Sequence, residues 1–120
     1  MWQPPAPRPG PRNLTVEQTK QLMDSGAASL LDVRDPDEWV AGHIPGAVWI
    51  PLGELDRRLR ELDPQRAWVV YCHVGSRSLT AAHFLQYAGL PDVANMLGGI
   101  DAWQARRFPT ERGSGGSPRP

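Results

Sequence analysis

A single cysteine, Cys72, stands where the apolar run Trp68-Val69-Val70-Tyr71 gives way to Cys72-His73-Val74-Gly75-Ser76-Arg77-Ser78. A strand that delivers a cysteine into a short loop, followed at once by a helix, turns backbone N–H groups and the positive helix end toward one sulfur. Such surroundings favour an anionic thiolate or persulfide, whereas a free thiol with pKa near about 8.5 is mostly protonated at neutral pH. Gly75 allows the backbone to curl so that the amides of residues 73–77 face inward. Arg77 offers paired hydrogen bonds to an oxyanion. Outside such a loop a lone cysteine is more often a small buried apolar residue than a nucleophile.

Other residues are weighed against this centre. Asp32 and Arg34 follow the short apolar run Ser29–Val33 and fall at the same end of the chain's strands as Cys72. They either pair with each other or cap backbone, and Asp32 is a candidate for orienting Arg77 or the loop; with Ser78 they count as supporting residues. His73 adds positive charge when protonated or simply faces solvent. His43 shapes its own turn, and His83 falls on a helix surface. Trp39, Trp49, Trp68 and Trp103 read as packing residues, with Trp49 or Trp68 nearest the site. Arg57, Arg58 and Arg60 form a solvated face or dock an acidic partner.

The elements that must position these groups alternate. Thr15 and Gln18 form a capping box for a first helix that Gly26 closes. Ser29–Val33 reads as a buried strand, and Asp35-Pro36-Asp37-Glu38 supplies a cap, a proline at the first helical position and an acid at the third. Ala47–Ile50 is a second strand, ended by Pro51. Leu52, Leu55, Leu59 and Leu62 recur at helical spacing and predict a helix stopped by Asp63-Pro64. Trp68–Tyr71 is the next strand, a helix spans Ser78–Ala88 with Gly89 behind it, and Val93–Leu97 is the last strand. A final helix opens at Gly98-Gly99-Ile100. Alternation at this pitch defines an α/β domain with a mostly parallel sheet, whose ligand site lies at the carboxyl ends of the strands.

Composition narrows the functional classes. The chain has 120 residues, enough for one small domain with a core of its own. Lys+Arg and Asp+Glu each number 13, so no overall field selects nucleic acid or a membrane surface. One cysteine allows neither an internal disulfide nor an internal resolving thiol, and it argues against a Cys/His zinc site; no metal or organic cofactor is expected. No apolar stretch approaches the roughly 20 residues of a membrane span, and Met1-Trp2-Gln3-Pro4 does not read as a signal peptide, so a cytoplasmic enzyme or carrier is expected. Residues 1–12 hold five prolines and read as an extended arm. The domain is expected over 13–109, with a flexible Gly/Ser/Pro tail over 110–120.

Four segments together resemble a known family. Leu31-Asp32-Val33-Arg34-Asp35-Pro36-Asp37-Glu38-Trp39 and Gly42-His43-Ile44-Pro45-Gly46-Ala47 look like the two amino-terminal signatures of rhodanese domains. Cys72-x-x-Gly75-x-Arg77-Ser78 looks like their active-site loop, and Gly98-Gly99-Ile100-x-Ala102-Trp103 is similar to their carboxy-terminal signature. The resemblance implies a three-layer rhodanese-like domain with a central, mostly parallel, five-stranded sheet flanked by helices. It also implies a sulfurtransferase. The cysteine takes a sulfane sulfur from thiosulfate or a similar donor, holds it as a covalent persulfide, and passes it to cyanide or a thiol acceptor, protein thiols included. An alternative is a persulfide carrier serving a partner protein. Phosphatases that share the fold use a longer C-x5-R loop, whereas four residues separate Cys72 from Arg77; the tighter ring suits one sulfur atom better than a phosphoryl group and ranks a phosphatase or arsenate reductase lower.

Overall fold

Strands and helices alternate along the computed structural model, which describes residues 1–4 and 9–113. In chain order these are β1 (Arg12–Leu14), α1 (Val16–Asp24), β2 (Ser29–Asp32), α2 (Pro36–Ala41) and β3 (Val48–Trp49), then β4 (Trp68–Tyr71), α3 (Ser76–Tyr87), β5 (Val93–Met96) and α4 (Gly99–Ala105). The strands form one sheet in the order β1-β5-β4-β2-β3, and every pairing is parallel. The central strand is β4, so Cys72 emerges from the middle of the carboxyl edge. That is where a parallel sheet places its ligand site.

Each face of the sheet buries its own apolar layer, because successive side chains of a strand point to opposite sides. Leu30, Val69, Tyr71 and Met96 pack with Trp39, Ile44, Ile100 and Trp103 on one face. Leu31, Val70 and Cys72 pack with Ala81, Ala82, Leu85, Leu55 and Leu62 on the other. Cys72 thus belongs to the α3 face. The Thr15 cap is present as expected: the Gln18 amide donates to Thr15 Oγ1 at 3.1 Å, and the Thr15 amide donates to Gln18 Oε1 at 2.9 Å.

Several boundaries differ from the sequence pattern. Strand β1 gives no periodic signal, because it is a three-residue edge strand directly after the prolines. Arg12 therefore belongs to the domain and not to the arm, and Pro11 beside it is buried. Glu111 exchanges two 2.8 Å backbone hydrogen bonds with His43, so the domain also runs past 109. Residues 5–8 of the arm and 114–120 of the tail lie outside the described residues. The helix expected from the leucines at 52, 55, 59 and 62 is two separate 3₁₀ turns, Leu52–Glu54 and Leu59–Glu61. Gly53 weakens a continuous helix there, and i→i+3 bonding serves the same leucine spacing.

Helix α3 starts at Ser76, two residues before its expected start, with Gly75 as its N-cap at φ +118°. Helix α4 braces the loop from the other side. Its Ile100 amide donates to the Cys72 carbonyl at 2.9 Å, and its Asp101 amide donates to the His73 carbonyl at 3.2 Å. Gly99, at φ +61°, makes this approach possible, since a Cβ there would run into both carbonyl oxygens. Gly99→Ala is expected to lower stability by about 2–4 kcal/mol, combining left-handed strain with overpacking. Gly26→Ala, at φ +76° with open space around it, should cost only the strain, about 1 kcal/mol. Urea midpoints of the two variants check this; equal losses would refute the brace.

Candidate active site

The Cys72 side chain has no exposed surface. Its Sγ accepts the Gly75 amide at 3.1 Å and the Ser78 amide at 3.3 Å, and Ser78 Oγ lies 3.3 Å away. Gly75 has no side chain to cap α3, so the sulfur takes the place of a capping oxygen and satisfies the amide of the third helical residue. Burial pushes the Cys72 thiol up. The Ser78 hydroxyl and the amides of Ser78, Gly75 and Val74 outweigh that push and leave it below the ordinary cysteine value. Of the amides over 73–77, those of Gly75 and Val74 act on the sulfur, and the other comes from Ser78. Ser78 is therefore part of the sulfur's immediate cage.

Arg77 does not point a free guanidinium at the mouth. Its Nη1 and Nη2 donate to the two carboxylate oxygens of Glu38 in α2, at 2.7 and 2.9 Å. Glu38 also accepts the Asp35 amide at 3.0 Å, the capping role read from its position. Its ion-pair role is invisible in sequence, because the partner lies 39 positions away. The Arg77 hydrogen bonds, opposed by burial, hold the Glu38 carboxyl at about 2, from an ordinary 4.5.

Asp32 does not orient Arg77 either. It is fully buried and accepts the Arg34 amide at 2.9 Å, Nε at 3.0 Å and Nη2 at 2.7 Å. Arg34 also donates to the Gly42 carbonyl at 2.7 Å, which ties the end of β2 to the turn after α2. The pair is a brace, the alternative already open from the sequence. Between α2 and α4, beside the loop, lies a recess of about 240 Å³ lined by Arg34, Glu38, Gly42, His73 and Asp101 among others. His73 is exposed and pairs with Asp101 at 2.9 Å. His43 is fully buried, stacked on Trp39 at 3.6 Å, and faces Glu111 through Nε2 at 3.1 Å. Trp49 donates to the Arg34 carbonyl near the site at 2.9 Å, whereas Trp68 begins β4 at its far end and bonds Asp63. His83 is exposed, as expected.

Three residues of the site carry no signal of their own in the sequence: Glu38 as a partner of Arg77, Asp101 as a partner of His73, and Asn95. Asn95 is buried on β5, and its Oδ1 lies 2.6 Å from Ser78 Oγ. Among the described residues no group of His, Cys, Asp and Glu could hold a metal ion. No described helix is long and apolar enough to cross a membrane.

A parallel α/β sheet thus presents one caged sulfur at the end of its central strand. Comparison with known proteins places it further. A rhodanese-like domain model matches residues 15–106, and the chain belongs to that family. It is 37% identical over 94 residues to the Bacillus subtilis protein named "Putative sulfur carrier protein YrkF", a match covering 78% of this chain and 51% of that one. The chain thus spans about half the length of that relative. A rhodanese-related protein from Thermoplasma volcanium superposes with a TM-score of 0.78 at 30% identity, covering 83% of this chain and 97% of that structure. A thiosulfate sulfurtransferase from Pseudomonas aeruginosa gives 0.78 at 32% identity over 87% of this chain, but only 21% of that structure. Family and homologue support sulfur transfer in general.

Arg34→Met strands the buried Asp32 carboxylate without its counter-charge and is expected to cost about 3–5 kcal/mol in urea denaturation. A loss under about 1 kcal/mol would show the brace to be dispensable. The Glu38–Arg77 pair has a pH signature. Because the folded Glu38 value is depressed, its stabilisation is complete above about 4.5 and is lost as pH falls toward about 2. Thermal unfolding of Glu38→Gln against the parent should therefore diverge above that window and converge below it; a constant gap would contradict the assignment.

Proposed function

We propose that Cys72 transfers single sulfane-sulfur atoms through a persulfide. The observation that supports this reading is the cage itself: two amides and a hydroxyl within 3.3 Å of one sulfur, in a loop with four residues between Cys72 and Arg77. The cage stabilises one anionic sulfur, and the four-residue spacing, one shorter than a C-x5-R loop, suits a single sulfur better than a phosphoryl group. With thiosulfate, the Cys72 thiolate attacks the outer sulfur. The S–S bond of the donor breaks, sulfite leaves with the electron pair, and Cys72 carries the persulfide anion. Cyanide then takes the outer sulfur as thiocyanate, or a thiolate takes it as a new persulfide, and the Cys72 thiolate is restored.

A carrier role, with an organic persulfide or a protein thiol as donor and acceptor, is supported by a specific observation. The two arginines at the mouth are each paired with a carboxylate, Arg77 with Glu38 and Arg34 with Asp32, and the His73 ring lies against Asp101. A dianionic donor therefore meets a nearly neutral rim, whereas an organic persulfide needs no free cation. The sulfur-carrier name of the Bacillus subtilis relative agrees with this reading.

Intact-mass measurement after exposure to thiosulfate, or to an organic persulfide, tests both. One sulfur atom should add to the parent chain, be removed by cyanide, and be absent from Cys72→Ser, which should remain folded. Loading that survives in Cys72→Ser would overturn the proposal. Faster loading from the organic persulfide than from thiosulfate assigns the carrier role, and the reverse assigns a thiosulfate sulfurtransferase. Hydrolysis of an aryl phosphate without sulfur loading would move the chain to the phosphatases.

A further inference from the structure

The hydroxyl of Ser78 has one hydrogen and three acceptors within reach. Asn95 Oδ1 lies at 2.6 Å, the Gly75 carbonyl at 3.2 Å and Cys72 Sγ at 3.3 Å. Ser78, Asn95 and Cys72 are buried, so their side chains have no bulk water as an alternative, while the half-buried Gly75 carbonyl already accepts the Leu79 amide at 3.2 Å. On its other side, Asn95 Nδ2 donates to Asn13 Oδ1 at 3.2 Å. Asn13 and Asn95 face each other in the parallel register of β1 and β5, and Asn13 is exposed. Four side chains therefore form a hydrogen-bonded line from the edge of the sheet to the sulfur.

We propose that Asn95, held in orientation by Asn13, is a positioning residue that competes with Cys72 for the Ser78 hydrogen and so sets how strongly the sulfur anion is held. The inference rests on Cys72 being the reactive thiol. In the thiol state the S–H donates to Ser78 Oγ, and Ser78 donates to Asn95 Oδ1, so every polar atom is satisfied. Once the proton leaves Cys72 for solvent, the sulfur is an acceptor only. Turning the Ser78 hydrogen to the anion forms a charge-assisted bond but leaves a buried amide oxygen without a donor. These two effects are of similar size, so Asn95 withholds part of a donor that the sulfur would otherwise own. A less stabilised anion is the stronger nucleophile, because intrinsic reactivity toward sulfur falls as thiol acidity rises.

The charged groups around the sulfur have partners of their own. Arg77 of α3 is paired with Glu38 of α2, His73 of the loop with Asp101 of α4, and Arg34 with Asp32 at the end of β2. From β5 and β1 only the uncharged Asn95 and Asn13 join the line. Asn13 holds the amide of Asn95 in one sense. Without it, the amide is free to rotate and present Nδ2 to Ser78 Oγ, and the hydroxyl hydrogen then turns to the sulfur.

The test is the pH dependence of Cys72 alkylation by a small reagent, followed by intact mass on the full chain. The parent midpoint should lie below that of a free cysteine. Asn95→Leu and Asn13→Ala should each lower it further, by about half a unit to one unit, and slow the plateau rate about two-fold. Ser78→Ala should raise it, and in that background Asn13→Ala should change nothing. Asn13→Asp, which keeps the acceptor, should restore the parent profile. Asn13 is exposed and at an edge, so its variants keep the test valid if Asn95→Leu fails to fold. Midpoints of Asn13→Ala that match or exceed the parent value would overturn the inference while leaving the persulfide reading intact. A parent midpoint no lower than free cysteine would instead overturn the reactive-thiol reading and the inference with it.

Discussion

The sulfur of Cys72 caps a helix. Gly75 brings no side chain to the first turn of α3, so the amide of Ser78 depends on Sγ for its acceptor. This one contact couples three parts of the molecule. It sets where α3 begins, it requires β4 to deliver the cysteine at full depth, and it helps hold the thiol below the ordinary cysteine value. Helix α4 completes the arrangement by binding the loop's carbonyls at Cys72 and His73, which leaves the loop's amides free to face inward. The polarity of the backbone is thus sorted: oxygens go to α4, hydrogens to sulfur.

Charge is handled differently from hydrogen bonding. The chain's overall neutrality is repeated locally, as Arg34 and Arg77 near the loop each have a carboxylate against them. The buried Asp32–Arg34 pair joins the carboxyl end of β2 to the Gly42 turn, and the partly exposed Glu38–Arg77 pair joins α2 to the start of α3. The two pairs hold separate elements at fixed distances around the recess. At the sulfur the strongest favourable contributions are amides and a hydroxyl, which salt screens less than it screens surface charges.

Much of this was readable in the residues, and the parts that were not share a cause. The strand into Cys72, the glycine that bends the loop, the Thr15 cap and the position of Asp32 and Arg34 at the carboxyl edge follow from local pattern. So does the parallel sheet, from alternation. The fifth strand was expected only through family resemblance, because Arg12–Leu14 is too short to show a period and acquires its structure by pairing with β5. The leucines at 52–62 show the converse, a period of helical type satisfied by two 3₁₀ turns. Glu38, Asp101 and Asn95 were missed as partners because each meets the site from a distant element. Their roles are tertiary facts. A glutamate at the third helical position reads as a cap, and so it is; its second hydrogen-bonding duty leaves no trace in spacing.

The complete burial of Cys72 bears on the regiochemistry of transfer. A persulfide offers two sulfur atoms to an incoming nucleophile. Attack on the outer one passes the cargo onward, whereas attack on the inner one expels hydrosulfide and leaves the protein trapped as a mixed disulfide. Walls that enclose the inner atom block the line of approach opposite the S–S bond, so the wasteful displacement has no trajectory. Under the proposed persulfide chemistry, this burial is what would shield the inner sulfur of the cargo.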